Sequence, residues 1–575
     1  MASRQNIDGK VGTSESPINN GLFEDVHDIF QQEIDICLLS LKEQGSKRNN
    51  ADDRDTYQAE LNNETNQVNE ASEHGLLTVL VVGAGPAGLC MANLLKTYNQ
   101  HFHVIDAKTD FDNRSKATGV HRNTLKLFDK LDFIEAITQE SIELNANSIY
   151  SEGQLLKKTV FPQGATNNDK NICIRQQSLE RILADNVSID RGKRLIAFQQ
   201  NDTHVTATVE ETSTKKRQEF QAQYLIACDG ATSMVRKELG ISFDGETTIG
   251  WSFCFDAKAT SHSEMNHSEM TMHMNNGYRL VVVPIPINGD SYRFYGNITK
   301  QWHDDHINQD GTPKNPSKAH EHLASFVLER SPIVIDSNSI TGLSFYHTAS
   351  RIASKMRDKR VFLIGDAAHI FFPAGGYGLN TAIEDAFALA WRLAMTKTSL
   401  FKDALLQTFN EERLKNAQQI KDDSTQKKKD AASLQGQPSA SETENETQIY
   451  KKSARLENIL PIDICESIKS NTRSLAQVIN KNSGFTLIVH TTCNGTLSKY
   501  KQLSENLNRV FPVHFELVHV CCKQPCPFHS AEKECFKTID ACESFFQKNP
   551  ETVTVIRPDN FTLTILIKQT SKDIF

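Results

Sequence analysis

Three glycines, Gly83, Gly85 and Gly88, fall in LTVLVVGAGPAGLCMANLL where a run of β-branched residues gives way to a helical apolar pattern. Each position has its own physical use: a tight turn at Gly83, room for a pyrophosphate against the backbone at Gly85, and close helix packing at Gly88. Ala87 lies among them in the first helical turn, where free N–H groups and the positive end of the dipole attract phosphate. The next apolar run, HFHVIDA, closes on Asp106. That is roughly 20 residues on, the place of a carboxylate that grips a ribose. Strand, glycine turn, helix and carboxylate in this order point to a bound dinucleotide. Length alone would let the first segment span a membrane, but three glycines and a proline inside it argue against that.

Two further strand ends carry carboxylates. In YLIACDGATSMVRKELGI, Asp229 and Gly230 follow an apolar strand and precede Ser233 and Arg236. In RVFLIGDAAHIFFPAGGYGLNTAIEDAFALAWRLA, Gly365 and Asp366 follow another, ahead of Pro373, Gly375, Gly376, Gly378, Leu379, Asn380 and a long helix. A carboxylate at a strand end suits the hydroxyls of a polyol. A glycine loop lets the backbone approach a flat ring, and a helix N-terminus there stabilises negative charge.

With all three motifs in this order, the region from Leu77 to about Ile420 resembles the class A flavoprotein monooxygenases, the family of para-hydroxybenzoate hydroxylase and phenol hydroxylase. The resemblance implies FAD, with its ADP half on Gly83, Gly85, Gly88 and Asp106, its ribitol on Asp366 and its isoalloxazine on the loop from Gly375 to Asn380. By the same resemblance Asp229 and Arg236 support the pyrophosphate region and a passing nicotinamide nucleotide, NADPH or NADH. Arg175 and Gln176, in NICIRQQSLERIL, match the segment that reaches the flavin. The implied chemistry is hydroxylation of an aromatic, phenolic or polyketide-like molecule by a flavin C4a-hydroperoxide made from molecular oxygen. This sequence departs from the family pattern in SKATGVHRNTLKLF, where Lys116 stands in place of an arginine and lacks its planar fork. Ala382 and Ala388 stand where glycine and asparagine are common. No motif names a catalytic base. Other flavoprotein chemistries on this scaffold, epoxidation or reduction, stay open, as does a non-catalytic flavin-binding role; the tryptophan-rich segment of a halogenase is missing.

These residues need a scaffold, and the strands that carry them alternate with helices. The expected class is α/β: a Rossmann-type FAD-binding domain at 75–241 and 346–420, with a mixed-sheet substrate domain at 242–345. In the latter, GYRLVVVPIPINGDSYRFYGNI alternates in polarity around an Asn-Gly-Asp turn, an antiparallel hairpin signal. His273, Tyr278, Arg279, Tyr292, Arg293 and Tyr295 are substrate-contact candidates there, although alternation turns about half of them away from any one pocket. Residues 1–74 are too polar to fold alone, apart from an amphipathic helix near 22–42. Polar composition marks 421–453 as a linker. Beyond it, 454–575 reads strand, helix, strand and hairpin, similar to the thioredoxin-like domain of phenol hydroxylase relatives. Cys493 there has no C-x-x-C partner, which points to a structural or dimerising role.

The 575 residues exceed a single core, and a net charge of −8 offers no basic field for nucleic acid. MASRQNIDGKVGTSESP lacks the basic start and apolar core of a secretory signal, so a reducing cytoplasmic setting is expected. The twelve cysteines then read mainly as free thiols. Cys521, Cys522, Cys526, His529, Cys535 and Cys542 cluster, but their spacing does not complete a common zinc pattern, and no metal is expected. A homodimer is compatible with the sequence, and a membrane span is not expected.

Overall fold

The computed structural model describes residues 76–433 except 113, 115–118, 162–169, 261–265, 276, 287–289, 310 and 398–401, and separate short segments between 466 and 566. The expected helix near 22–42, Lys116, Cys493, Cys522, Cys526, His529 and Cys542 lie outside the described residues.

Strand β1 (Leu77–Val82) is buried along its whole length, as a strand covered on both faces must be. It pairs in parallel with β2 (Phe102–Asp106) on one side and β3 (Arg217–Ala227) on the other. Val361–Leu363 adds in parallel to β3, so four strand ends that carry motifs lie side by side. Helix α1 (Pro86–Thr97) packs on α2 (Gln176–Ala184) and on α3 (Tyr377–Met395). From Leu379 to Met395 every residue of α3 is buried, so this is a central helix with no solvent face.

A second sheet is built on the long strand β4 (Phe243–Lys258). Strands β5 (Tyr278–Pro284) and β6 (Ser291–Ile298) form the expected antiparallel hairpin beside it, and β7 (Thr341–Ala353) flanks its other edge. One face is a closed core: Phe253, Phe255, Leu280, Val282 and Phe294 pack on Leu323 and Val327 of the helix Pro316–Arg330. The other face looks toward the first sheet.

Helix α4 (Lys402–Ser433) corrects one expectation. It runs past Ile420 into the stretch whose polar composition had marked 421–453 as a linker. Composition misleads because local pairs support the helix, Gln418 to Asp422 and Gln426 to Asp430, while Ser424 is buried. A third sheet pairs Phe485–His490 in parallel with Phe515–Cys521 and antiparallel with Thr552–Ile556, which turns back into Thr562–Leu566. It is tied to the first unit by buried charge. Arg557 grips both Glu412 oxygens at 2.9 Å, Arg392 adds a third bond to Glu412, and the Trp391 indole donates to Asp559.

Candidate cofactor and substrate site

β1 ends in a turn that excludes side chains. Gly83 has φ +104°, and a Cβ on it would meet the Cys228 carbonyl oxygen at 2.3 Å. A Cβ on Gly88 would meet the Gly83 carbonyl oxygen at 1.9 Å. The two glycines let α1 begin flush against the strand ends. Gly85 differs: nothing lies within 4 Å of its Cβ position, and as N-cap of α1 it leaves the first N–H groups without a side-chain partner. An open cradle at a helix N-terminus fits a pyrophosphate. Asp106 sits at its rim, accepting from the Ala84 N–H at 2.7 Å and the Lys108 N–H at 2.8 Å.

Asp229 caps the short helix Met234–Glu238 through Oδ2, which accepts from Met234 and Val235. Its Oδ1 is buried with no hydrogen-bond partner. Burial pushes this carboxyl up, against the hydrogen bonds it accepts. An orphaned acceptor beside the cradle suits a ligand hydroxyl. Gly230 has φ +82°, allowing the turn after it. Arg236 is occupied by protein: its guanidinium donates to the Ala367 and Ala231 carbonyls and lies 3.7 Å over the Phe243 ring. It staples the Asp229 turn to the Asp366 turn, and so bears on the cofactor site through both.

The Gly365–Asp366 turn is where the motifs converge. Gly365 has φ +58°, and its Cβ position lies 3.2 Å from the Ala87 Cβ of α1 and 3.1 Å from the Ala382 Cβ of α3. Ala382, the departure from glycine, thus packs on this turn. Asp366 itself is exposed. Beneath it lies a charged set that sequence reading missed. Asp385 Oδ2 accepts from the Gly365 N–H at 3.0 Å and meets His369 Nε2 at 2.6 Å, while Oδ1 accepts from Arg413 at 2.7 Å. All three residues are buried. Burial raises Asp385, but His369 and Arg413 outweigh it and hold the carboxyl below its usual range. The available signal was a carboxylate among the apolar residues of TAIEDAFALAW, which must be paired once buried.

The loop after it turns at Pro373, whose carbonyl accepts from the Gly376 N–H. Gly375 and Gly376 have φ +94° and +65°, and α3 starts at Gly376 with no side-chain cap; Gly378 has open space at its Cβ position. Leu379 is buried behind the loop. Asn380 fixes the loop from below, donating to the Gly376 and Gly119 carbonyls and accepting from the His121 N–H at 2.9 Å. A flat ring above two positive-φ glycines would lie on the positive end of α3. Tyr377, unforeseen in the sequence, donates to Asp423 and accepts from Lys427 at 2.7 Å, which ties α4 to this loop.

The facing sheet sorts the substrate candidates. Arg279, Arg293 and Tyr295 share the face of Cys254 and Asp256, opposite the closed core. Tyr278, Tyr292 and His273 lie on the opposite face: Tyr278 beneath Arg330, Tyr292 bonded to His267, and His273 stacked on Tyr150. Arg293 is committed to Asp256 by a buried bidentate pair at 2.6 and 2.9 Å. Arg175, N-cap of α2, comes within 3.9 Å of the same carboxylate, and Gln176 donates to Glu180 within its own helix. Among the described residues, no group of three or more His, Cys, Asp or Glu side chains could hold a metal, and no helix is long and apolar enough to cross a membrane.

The FAD binding domain family matches residues 77–424. Rifampicin monooxygenase of Streptomyces venezuelae is 27% identical over 353 residues, which cover 60% of this chain and 70% of that protein. A 12-dehydrotetracycline 5-monooxygenase/anhydrotetracycline 6-monooxygenase of Streptomyces rimosus subsp. rimosus is 30% identical over 346 residues, covering 58% and 66%. The 3-(3-hydroxy-phenyl)propionate/3-hydroxycinnamic acid hydroxylase of Mycolicibacterium smegmatis is 27% identical over 358 residues, covering 61% and 60%. The matched region thus spans 60% to 70% of these relatives' length. A solved ternary complex of aklavinone-11 hydroxylase with FAD and aklavinone superposes with a TM-score of 0.67 at 19% identity, covering 84% of this chain and 94% of that one. That likeness is one of fold.

Proposed function

Because the chain belongs to the FAD binding domain family, we propose that it is a monooxygenase that hydroxylates a phenolic or polyketide-like aromatic molecule. NADPH or NADH supplies the electrons and molecular oxygen the inserted atom. The observation that carries this reading is the convergence at Gly365, where the cradle helix α1 and the loop helix α3 both come within 3.2 Å of one missing side chain. A ligand with a pyrophosphate, a polyol and a flat ring fits that arrangement. Bound FAD supplies the redox chemistry. The chain's own groups then have distinct tasks. The N–H groups after Gly85 hold the pyrophosphate, Asp106 the ribose and Asp366 the ribitol hydroxyls. The N-terminus of α3 stabilises negative charge on the ring edge lying over Gly375 and Gly376. The sheet face above the loop orients the substrate and excludes water. The relatives named above act on rifampicin, tetracycline precursors and a hydroxyphenyl acid, which supports an aromatic substrate. We read the C-terminal sheet as a thioredoxin-like unit with a structural role, supported by its buried Arg557–Glu412 pair.

Purified protein should be yellow and release FAD on denaturation. A panel of phenols and polyketides should contain a compound that both stimulates NADPH or NADH oxidation and gains one oxygen atom. Recovery of bound NAD and no flavin, even after incubation with FAD, would overturn the reading.

A further inference from the structure

The third sheet and the Gly365 turn are bonded to consecutive residues of one helix. Glu412 and Arg413 are neighbours in α4, and both are buried. Glu412 reaches the C-terminal unit, where Arg557 donates to both its oxygens at 2.9 Å and Asp559 holds Arg557 in turn, accepting from Nε at 3.0 Å. Arg413 reaches the other way, donating to Asp385 at 2.7 Å. Asp385 accepts the N–H of Gly365 at 3.0 Å, the residue just before Asp366. A line of charge-assisted bonds thus runs from the C-terminal sheet to the turn proposed to hold the ribitol, broken only by one peptide bond of α4.

Little along this line can absorb a displacement. Arg392 of α3 also donates to Glu412 at 2.9 Å, but Thr408 and the Ala388 carbonyl fix it in place. Beyond Asp385, Arg413 finds only Glu384 and the Thr381 carbonyl, each at 3.5 Å, and its Nη1 is buried with no hydrogen-bond partner. Buried charges that lose their partners are costly, and a close-packed interior passes strain on. A shift of the 412–413 turn must then reach Asp385. The C-terminal unit has other contacts that bypass this line: Tyr98, at the end of α1, donates to the Ser483 carbonyl at 2.9 Å, and Trp391 meets Phe485 edge to face at 5.4 Å. Docking and positioning can therefore be tested apart.

We infer that Arg557 is a positioning residue of the flavin site: by fixing Glu412 it keeps Arg413 and Asp385 where they hold the Gly365 turn against the cofactor. The inference rests on the cofactor reading above. It gives the C-terminal unit a task in FAD binding as well as in architecture.

The test titrates FAD into full-length apoprotein, wild type and variants, with flavin fluorescence reporting affinity and urea unfolding reporting stability. Asp385→Asn should weaken FAD binding roughly tenfold or more, the size of one charge-assisted bond. Arg557→Met should weaken it about threefold to tenfold, in the range of coupling between separated sites. The double variant should bind FAD no more weakly than Asp385→Asn alone, because the line is already cut, whereas independent loosening would add the two losses. Tyr98→Phe, which loosens the same docking away from the line, should leave FAD affinity unchanged. If either charge variant does not fold, Arg557→Lys and Arg413→Lys take their places in the same cycle. Additive losses, wild-type affinity in the Arg557 variants, or an equal loss in Tyr98→Phe would overturn the inference. A wild-type protein that takes up no FAD would overturn the cofactor reading itself, and the inference with it.

Discussion

Around β1 the groups proposed to meet a ligand are backbone N–H groups, held by turns that tolerate no side chain at Gly83 and Gly88. Across β4 to β7 they are side chains held by other side chains, with Arg293 fixed by Asp256 from a neighbouring strand. The two sheets are therefore vulnerable in opposite ways. An added methyl group damages the first, because it strikes backbone that cannot move. A removed charge damages the second, because its buried partner loses its counter-charge.

The largest effect is expected at that pair. Asp256→Ala removes the carboxylate that accepts two bonds from the buried Arg293 guanidinium and should lower stability by about 3–5 kcal/mol, read from the midpoint of urea unfolding. The folded fraction should bind FAD with nearly wild-type affinity; a matching fall in FAD affinity would erase the contrast between the sheets. A smaller and inverse result is expected for Asp366→Ala. Loss of charge-assisted bonds worth roughly 1.5–3 kcal/mol each should weaken FAD binding about tenfold or more. The apoprotein should melt almost unchanged, because Asp366 is exposed. Fluorescence titration of the apoprotein decides, and an unaltered dissociation constant would reduce Asp366 to a turn former.

The smallest effect is one of pH. Burial pushes His273, stacked on Tyr150, down to about 4, whereas an unfolded chain holds that imidazole near its ordinary value of about 6.5. Between those values the unfolded state binds the extra proton, so stability falls as pH drops through the window. His273→Phe should flatten this slope in denaturant melts taken across pH 4 to 7. An unchanged slope would move the acid sensitivity elsewhere.

The same contrast explains what was legible in the sequence. Gly83, Gly85, Gly88 and Asp106 lie close together in the chain, and the turn needs glycine at Gly83 and Gly88 and a carboxylate at Asp106, so the local fold could be read. The Asp385, His369 and Arg413 set left only the signal of Asp385 itself, because its partners come from a separate strand and from α4 and meet it only in the folded chain. Arg236 showed its type but not its occupation by two carbonyls. Of the six candidates on the second sheet, alternation foretold that they would divide between the faces, but the pairing register had to decide which went where. The helical turns beyond Ile420 were hidden by polarity, since a helix anchored through Tyr377 and Phe372 needs little apolar surface of its own.

The route of the chain through the first sheet also sets an order in time. β1 gains its parallel neighbours β2 and β3 early, but Val361–Leu363 and α3, which complete and cover that sheet, are encoded after the whole of β4 to β7. During synthesis the substrate-facing sheet has nearly all its strands in hand while the cofactor cradle still lacks its lid. Contacts this distant in sequence form slowly, and apolar surface waits exposed meanwhile. The nascent chain thus builds the proposed substrate wall before it can build the proposed flavin pocket.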